Sequence, residues 1–369
     1  MDSIVREVVS RAPEEARVPE VPTQALGVQA QDAELERILA SLRTNIRIIG
    51  IGGGGSNTID RLVEAGIVGA ELYACNTDAQ HLLTIRSPHK VLLGRRATRG
   101  LGAGALPQVG EEATREATEE IRAILRGADM VFITCGLGGG TGTGGAPIVG
   151  QLAKEAGALT IAVCTFPFRA EGAIRAENAE YGLEKLRTFA DTVVVIPNDK
   201  LLEIVPRLPL NAAFKIADDV LMRAIKGITE VITKPGLVNL DFNDIKTIMK
   251  GGGVAMIGLG ESDSDNRAED AIEAAINSPL IDVDISTATG ALVNVTGGND
   301  MSVIEAEKVA EVVQARVSPS ARIIWGAAID PTLSHRLRVM LILTGVRSKQ
   351  ILGPGEHLRG REAGLEVVR

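Results

Sequence analysis

The feature that most constrains this chain is a glycine run at the end of an apolar stretch. Met130–Cys135 opens into Gly136-Leu137-Gly138-Gly139-Gly140-Thr141-Gly142-Thr143-Gly144-Gly145, so that seven of the twelve residues from Thr134 to Gly145 are glycine. Glycine loses more backbone freedom on ordering than any other residue, so such a density implies a compensating gain, most simply a bound group. A strand that hands over to a helix through glycines brings backbone N–H groups and the positive end of a helix dipole up to a ligand, an arrangement suited to phosphate. The spacing predicts a helix from near Ala146, with the glycines letting the backbone approach a phosphate and Thr141 and Thr143 adding hydroxyl donors.

Two further runs repeat the pattern. Gly50-Ile51-Gly52-Gly53-Gly54-Gly55-Ser56-Asn57 follows the apolar Ile46–Ile51 and precedes a helix-like Thr58–Ala65, and Gly100-Leu101-Gly102-Ala103-Gly104-Ala105 precedes another helix. Three such loops at the C-terminal ends of neighbouring strands point at one polyphosphate crevice. The first loop also contains GxGxxG at Gly50, Gly52 and Gly55, with Asp78 placed for a ribose contact after the second strand, so a nicotinamide dehydrogenase stays open as a rival. A reading in which the glycines only make tight turns also stays open. The chain contains neither a Walker-type GxxxxGKS/T loop nor a GxSxG nucleophile elbow.

Composition narrows the class. The 369 residues carry 39 Lys plus Arg against 47 Asp plus Glu, a net charge of −8, and only 2% aromatics, which disfavours both a phosphate-backbone coat and a stacking platform for single strands. No nucleic-acid partner is expected. Cys75, Cys135 and Cys164 show no CxxC pairing and read as reduced thiols of a cytosolic protein. The four histidines lack the spacing of a zinc site, so no metal held by protein ligands alone is expected. The charged start reads as lacking a signal peptide, and the longest apolar stretch, Ala158–Phe168, is too short to span a membrane.

The chain divides by pattern. Residues 1–44 read as a flexible extension with a short amphipathic helix at Leu35, Ile38, Leu39 and Leu42. Residues 45–210 alternate short apolar strands (46–51, 72–76, 91–93, 130–135, 160–165, 193–196) with helices (110–126 and 175–188 among them), the signature of an α/β fold with a Rossmann-like parallel sheet. Residues 211–234 form a long central helix with apolar residues at three- and four-residue spacing, stopped by Pro235-Gly236. Residues 235–348 read as a smaller α+β domain with its own sheet: helices at 242–250, 267–276 and 303–315, and strands at 254–259, 292–295, 322–325 and 339–344. Residues 349–369 read as a short flexible tail.

The GGGTGTG run at Gly138–Gly144 is similar to the signature of the tubulin/FtsZ superfamily, and the other blocks resemble the FtsZ family rather than tubulin. These are the glycine loop ending at Asn57, the NTDAQ segment at Asn76–Gln80, the GLGAG loop at Gly100–Gly104, and Phe168, Glu171, Gly172 and Arg175 of an FxxEGxxR-like segment. They also include IPNDKL at Ile196–Leu201 and Phe214 with Asp219 on the central helix. The resemblance implies a tubulin/FtsZ fold and a GTP/GDP site. Gly53, Gly54, Gly55, Ser56, Asn57, Asn76, Asp78, Gly102, Ala103, Gly104, Gly138, Gly139, Gly140, Thr141, Gly142 and Thr143 would contact the nucleotide. Glu171, Arg175, Asn198, Phe214 and Asp219 would surround ribose and guanine. Asp219 suits that role because a carboxylate accepts from guanine N1–H and the 2-amino group. Its neighbour Asp218 departs from the Asn common in such proteins.

Asn239-Leu240-Asp241-Phe242-Asn243-Asp244 reads on its own as a helix start with a capping-box-like spacing. By the same resemblance it is the NxDxxD loop that one subunit inserts into the nucleotide site of the next, with Asp241 and Asp244 as catalytic acids supported by Asn239. A heterologous contact of this kind does not close and gives a head-to-tail filament. The expectation is an assembly-dependent GTPase whose Mg²⁺ is held by nucleotide phosphates and water, acting in a cytoplasmic division ring at mid-cell. Its partner would be itself, with a membrane-anchoring or division adaptor protein besides and no direct membrane insertion. The N-terminal extension, Thr58 and Ile323–Asp330 look archaeal, and the tail lacks the adaptor peptide expected of bacterial members. A non-hydrolysing structural paralogue stays open.

Overall fold

The computed structural model describes residues 44–204, 210–233, 238, 241–281 and 283–346. The N-terminal extension with its Leu35–Leu42 helix, Pro235-Gly236, Asn239 and the tail at 349–369 therefore lie outside the described residues.

Strands β1 (Ile46–Ile51), β2 (Ala70–Asn76), β3 (His89–Leu92), β4 (Met130–Gly136), β5 (Leu159–Phe166) and β6 (Thr192–Pro197) run parallel in the order β3-β2-β1-β4-β5-β6. This is the doubly wound order, and its reversal point falls between β1 and β4, the strands that end in the two longest glycine runs. In β1, β4, β5 and β6 nearly every residue is buried, as helices on both faces require. The three cysteines are free and buried, and burial pushes the Cys75 and Cys135 thiols up to about 12.

One face of the sheet packs against α3 (Pro107–Glu116), α4 (Thr118–Leu125), α5 (Gly140–Glu155) and α6 (Ala173–Phe189) through Ile133, Val149, Leu152 and Leu183. The segment expected as one helix at 110–126 is two, with Ala117 between them in a non-helical conformation and its N–H bonded to Thr114 O at 3.1 Å. The other face packs against α1 (Gly52–Glu64) and α8 (Leu210–Thr233), whose Leu221, Ile225 and Ile228 share one buried cluster with Met130 and Phe132 of the parallel strands and with Leu292 and Ile342 of the second half. The central helix thus buries its apolar stripe against both halves of the molecule. Two short helices, α2 (Ala79–Thr84) and α7 (Asn198–Ile204), carry too few residues to show a period in the sequence.

The second half does not form a sheet of its own. After α9 (Phe242–Met249), β7 (Gly253–Ser262) pairs parallel with β6 over Thr192–Val194, and β10 (Leu337–Thr344), β8 (Gly290–Gly297) and β9 (Arg322–Ile329) continue the same ten-stranded sheet. Helices α10 (Arg267–Ile276) and α11 (Val303–Arg316) cover it through Ile272 and Val309. The short β6–β7 pairing keeps the parallel sheet and its mixed extension in one layer, which the apolar periodicity of separate strands could not reveal.

Candidate functional site

The glycine runs are parts of helices more than loops. Helix α1 begins at Gly52 and α5 at Gly140, each earlier than the expected starts near Thr58 and Ala146. Packing explains why these turns are glycine. A Cβ on Gly140 would lie 2.7 Å from Gly104 O, one on Gly142 2.6 Å from Gly136 O, and one on Gly144 would overlap Pro107 O. Gly55 is similarly pressed against Thr134 O. At Gly53, Gly104 and Gly139, by contrast, a Cβ would meet nothing within 4 Å. The excess therefore splits into glycines that let α1, α3 and α5 approach one another and glycines that face open space.

The open ones share a cradle. Gly52 of α1 sits against Gly142 and Thr141 of α5, so the two helix N-termini meet at the sheet's reversal point. Neither N-cap residue, Ile51 or Gly139, supplies a side-chain hydrogen bond to its helix. Each N-terminus leaves backbone N–H groups without an intrahelical acceptor, and two together make a strong anion site. The 100–104 loop closes the third side: Gly102 N–H donates to Thr77 O at 3.1 Å, and Gly104 O accepts from Gly140 N–H at 2.8 Å.

Several polar groups expected at the site brace it. Thr143 is fully buried and its Oγ1 accepts from Gly138 N–H at 2.8 Å, while Thr141 Oγ1 pairs with Thr77 Oγ1 at 2.6 Å. Gly138 holds the sharp turn between them at φ +98°, in the left-handed region. Asn178, which no motif singled out, donates to Ala105 O at 3.0 Å and Gly138 O at 3.4 Å, tying the 100–104 loop to the signature loop. Its only signal would have been its place one turn beyond Arg175 on α6. Asp78 caps α2 by accepting from His81 N–H at 3.0 Å. Around His81, Asn57 and Asn76 form a chain: Asn57 Oδ1 lies 3.0 Å from Nε2 and Asn76 Nδ2 lies 3.0 Å from Nδ1.

The other expected contacts gather beside the cradle. Glu171 accepts from Phe168 N–H at 2.9 Å and pairs with Arg175 at 2.9 Å, and the Arg175 backbone carbonyl lies against Gly138. Phe214 is 38% exposed, and its ring meets buried Phe168 edge-on at 5.1 Å, leaving a face for a planar ligand. Asp219 pairs with Arg223 at 2.7 Å through Oδ2. Asp218 is held 3.9 Å from Arg61 of α1, and burial pushes its carboxyl up to about 7 against the pull of that guanidinium. Ser56 Oγ and Asn198 Oδ1 are buried with no partner among the described residues, as expected of groups that await a polar ligand.

The acid loop is not brought to this cradle. Helix α8, about 36 Å long at 1.5 Å per residue, runs from Phe214 beside the C-terminal ends of the strands to Thr233, whose hydroxyl donates to Val68 O near the start of β2. Helix α9 ends where Met249 O accepts from Thr192 Oγ1 at the start of β6. Only this helix, about 12 Å long, separates Asp241 from the sheet's N-terminal edge. Asp241 caps α9 through Asn243 N–H at 3.1 Å; the reciprocal bond of a capping box is absent, because the exposed Asp244 carboxylate has no partner among the described residues. Among these residues no cluster of three His, Cys, Asp or Glu side chains forms, and no helix is long and apolar enough to cross a membrane.

Residues 45–206 match the family model of the Tubulin/FtsZ family GTPase domain, and residues 253–347 match that of the FtsZ family C-terminal domain. The chain is 57% identical to cell division protein FtsZ 1 of Archaeoglobus fulgidus over the whole of both chains. It is 54% identical to cell division protein FtsZ 1 of Pyrococcus furiosus, over 95% of this chain and 94% of that one. Its structure resembles an empty FtsZ dimer of M. jannaschii with TM-score 0.82 at 54% identity, over 85% of this chain and 92% of that one. It shares its fold with a GTPγS-bound protofilament of CetZ2 from Haloferax volcanii at TM-score 0.72 and 24% identity, over 87% and 98%. The dehydrogenase alternative falls away: with this sheet order, these uncapped glycine helices and these relatives, the chain belongs to the FtsZ family of tubulin-like GTPases.

Proposed function

We propose that the cradle binds GTP and that the chain hydrolyses it between two copies joined head to tail, in a filament of the cell-division machinery. The observation that carries this reading is the separation of the two ends: two uncapped glycine helices at the C-terminal edge of the strands, and exposed Asp241 and Asp244 tethered to the opposite edge. The pattern fits a unit whose site is completed by a second unit, in line with a dimer and a protofilament among its structural relatives.

In this reading the free N–H groups of Gly53 and Gly54 and those of α5 beyond Gly140, whose own N–H is held by Gly104 O, take the phosphates, with Gly102–Gly104 closing over them. Phe214 offers its exposed face to guanine and Asp219 accepts from N1–H and the 2-amino group, while Arg223 holds that carboxylate in place. Glu171, Arg175 and Asn198 flank the ribose. The partner's acid loop brings Asp241 and Asp244 to orient the attacking water and take its proton, with Asn239 in support. Mg²⁺ fits a cradle of hydroxyls, amides and backbone N–H groups only through phosphate oxygens and water, supplying charge neutralisation as the β–γ bond breaks. Residues 45–210 then act as the nucleotide-binding part and 235–348 as the activating part, joined by the central helix. Filaments of this kind at mid-cell would reach the membrane through an adaptor protein.

Light scattering recorded together with phosphate release after addition of GTP and Mg²⁺ tests the proposal. Both signals should rise, with specific activity increasing as protein concentration increases. GTP turnover that is constant per molecule at all concentrations would overturn the shared site.

A further inference from the structure

We infer that His81 is a positioning residue of the nucleotide site, fixing the Asn57 side chain with both of its N–H donors turned outward to the ligand. The inference rests on the GTP reading above. Asn76 is buried, and its Oδ1 accepts from Asp78 N–H at 3.3 Å. Its amide nitrogen therefore faces His81 and donates to Nδ1, 3.0 Å away, which leaves that ring nitrogen unprotonated. The proton of the neutral ring sits on Nε2 and is donated to Asn57 Oδ1 at 3.0 Å. The backbone holds the ring in register, because His81 N–H is itself engaged by Asp78 Oδ1 at 3.0 Å.

Every link of this chain runs in one direction: Asp78 N–H to Asn76, Asn76 to His81, His81 to Asn57. A chain of aligned donors polarises its last member. That member is Asn57 Nδ2, which has no partner among the described residues and stands in the first turns of α1, next to Ser56 and its orphaned hydroxyl. A free asparagine amide presents its carbonyl as readily as its amine. Here the carbonyl is turned to His81, so the opposite, donating end of the amide is left for a ligand, and the oxygens of a phosphate at neutral pH accept. His81 thus selects the end of Asn57 that suits a nucleotide's phosphates and rejects the end that would repel them.

The test compares GTP, GDP and guanosine affinity by calorimetric titration of the full chain and its variants, with thermal melts to verify folding. His81→Ala should weaken GTP and GDP binding about 10-fold, the loss expected of a hydrogen bond to a charged group, and leave competition by guanosine unchanged. His81→Gln, whose Nε2–H can still reach Asn57, should recover most of the loss. His81→Asn, which reaches only Asn76, should not. On an Asn57→Ala background, His81→Ala should have no further effect. The inference is overturned if His81→Ala binds GTP like the parent, if guanosine is weakened equally, or if the two substitutions add in full. A parent chain that fails to bind GTP overturns the nucleotide reading itself, and the role of His81 with it.

Discussion

The two ends of the molecule are built on opposite principles. At the cradle the bracing side chains are tied to other groups, Thr143 to Gly138, Thr141 to Thr77, Asn178 to two loops, Glu171 to Phe168 and Arg175, while Ser56 Oγ, Asn57 Nδ2 and Asn198 Oδ1 stay without a partner among the described residues. At the acid loop, Asp244 is exposed and free among the described residues, and Asp241 is held by one cap bond. A site that must bind a polyanion without rearranging is preorganised. Carboxylates that act only after assembly gain nothing from internal partners and must stay open for a neighbour. Substitutions at the two ends should therefore separate stability from turnover.

The largest expected effect is at the cradle's packing glycines. Gly144→Val should cost ~3 kcal/mol or more in urea denaturation, because its Cβ meets the Pro107 carbonyl. Gly139→Ala, where a Cβ meets nothing, should leave stability nearly unchanged. At the other end Asp244→Ala should keep the parent's stability within ~0.5 kcal/mol and its GTP affinity. Phosphate release should nevertheless fall about 100-fold or more, as for a lost general base. Equal stability losses at Gly144 and Asp244 would erase the contrast.

An intermediate effect lies on α8, where Asp218 is half-buried against Arg61 of α1. Its carboxyl titrates near 7 in the folded state against an ordinary value of 3.8, so between those pH values the folded protein holds a proton that the unfolded chain releases. The group therefore lowers stability as pH rises through that window, with the full cost reached above about 7. Asp218→Asn should gain about 1–3 kcal/mol at pH 8 and little at pH 4, measured by denaturation across pH. A smaller effect is expected at Asp241→Ala, where the loss of a helix cap costs ~1 kcal/mol in the same assay, beside its larger loss of turnover.

Most of the fold was legible because it is local. The β1 strand at Ile46–Ile51 and helix α10 at Arg267–Ile276 appear in the sequence with the ends they have in the structure, since uninterrupted apolar runs and three-to-four spacing are properties of single elements. What stayed hidden depends on distant partners. Nothing near Gly144 says that Pro107 lies against it, so the sequence offers bound phosphate or tight turns as the use of these glycines and does not show helix packing. Nothing near Thr143 says that its hydroxyl is committed to Gly138. His81 carries no motif signal beyond the absence of a zinc spacing until Asn57 and Asn76 are seen on either side of its ring. The acid loop shows the reverse limit: its residues were identified by resemblance, yet only the path of α8 shows how far they lie from the cradle of their own chain.

The central claim, that one active site is assembled from two copies, is tested most directly by mixing two inactive variants. Asp244→Ala keeps the cradle and removes the acid, whereas Gly139→Asp keeps the acid and places a carboxylate where phosphate should sit. Neither should release phosphate from GTP alone. An equimolar mixture should recover up to about a quarter of the parent rate, the share of randomly formed head-to-tail junctions that pair an intact cradle with an intact acid loop. A mixture no faster than its two components added together would contradict the account.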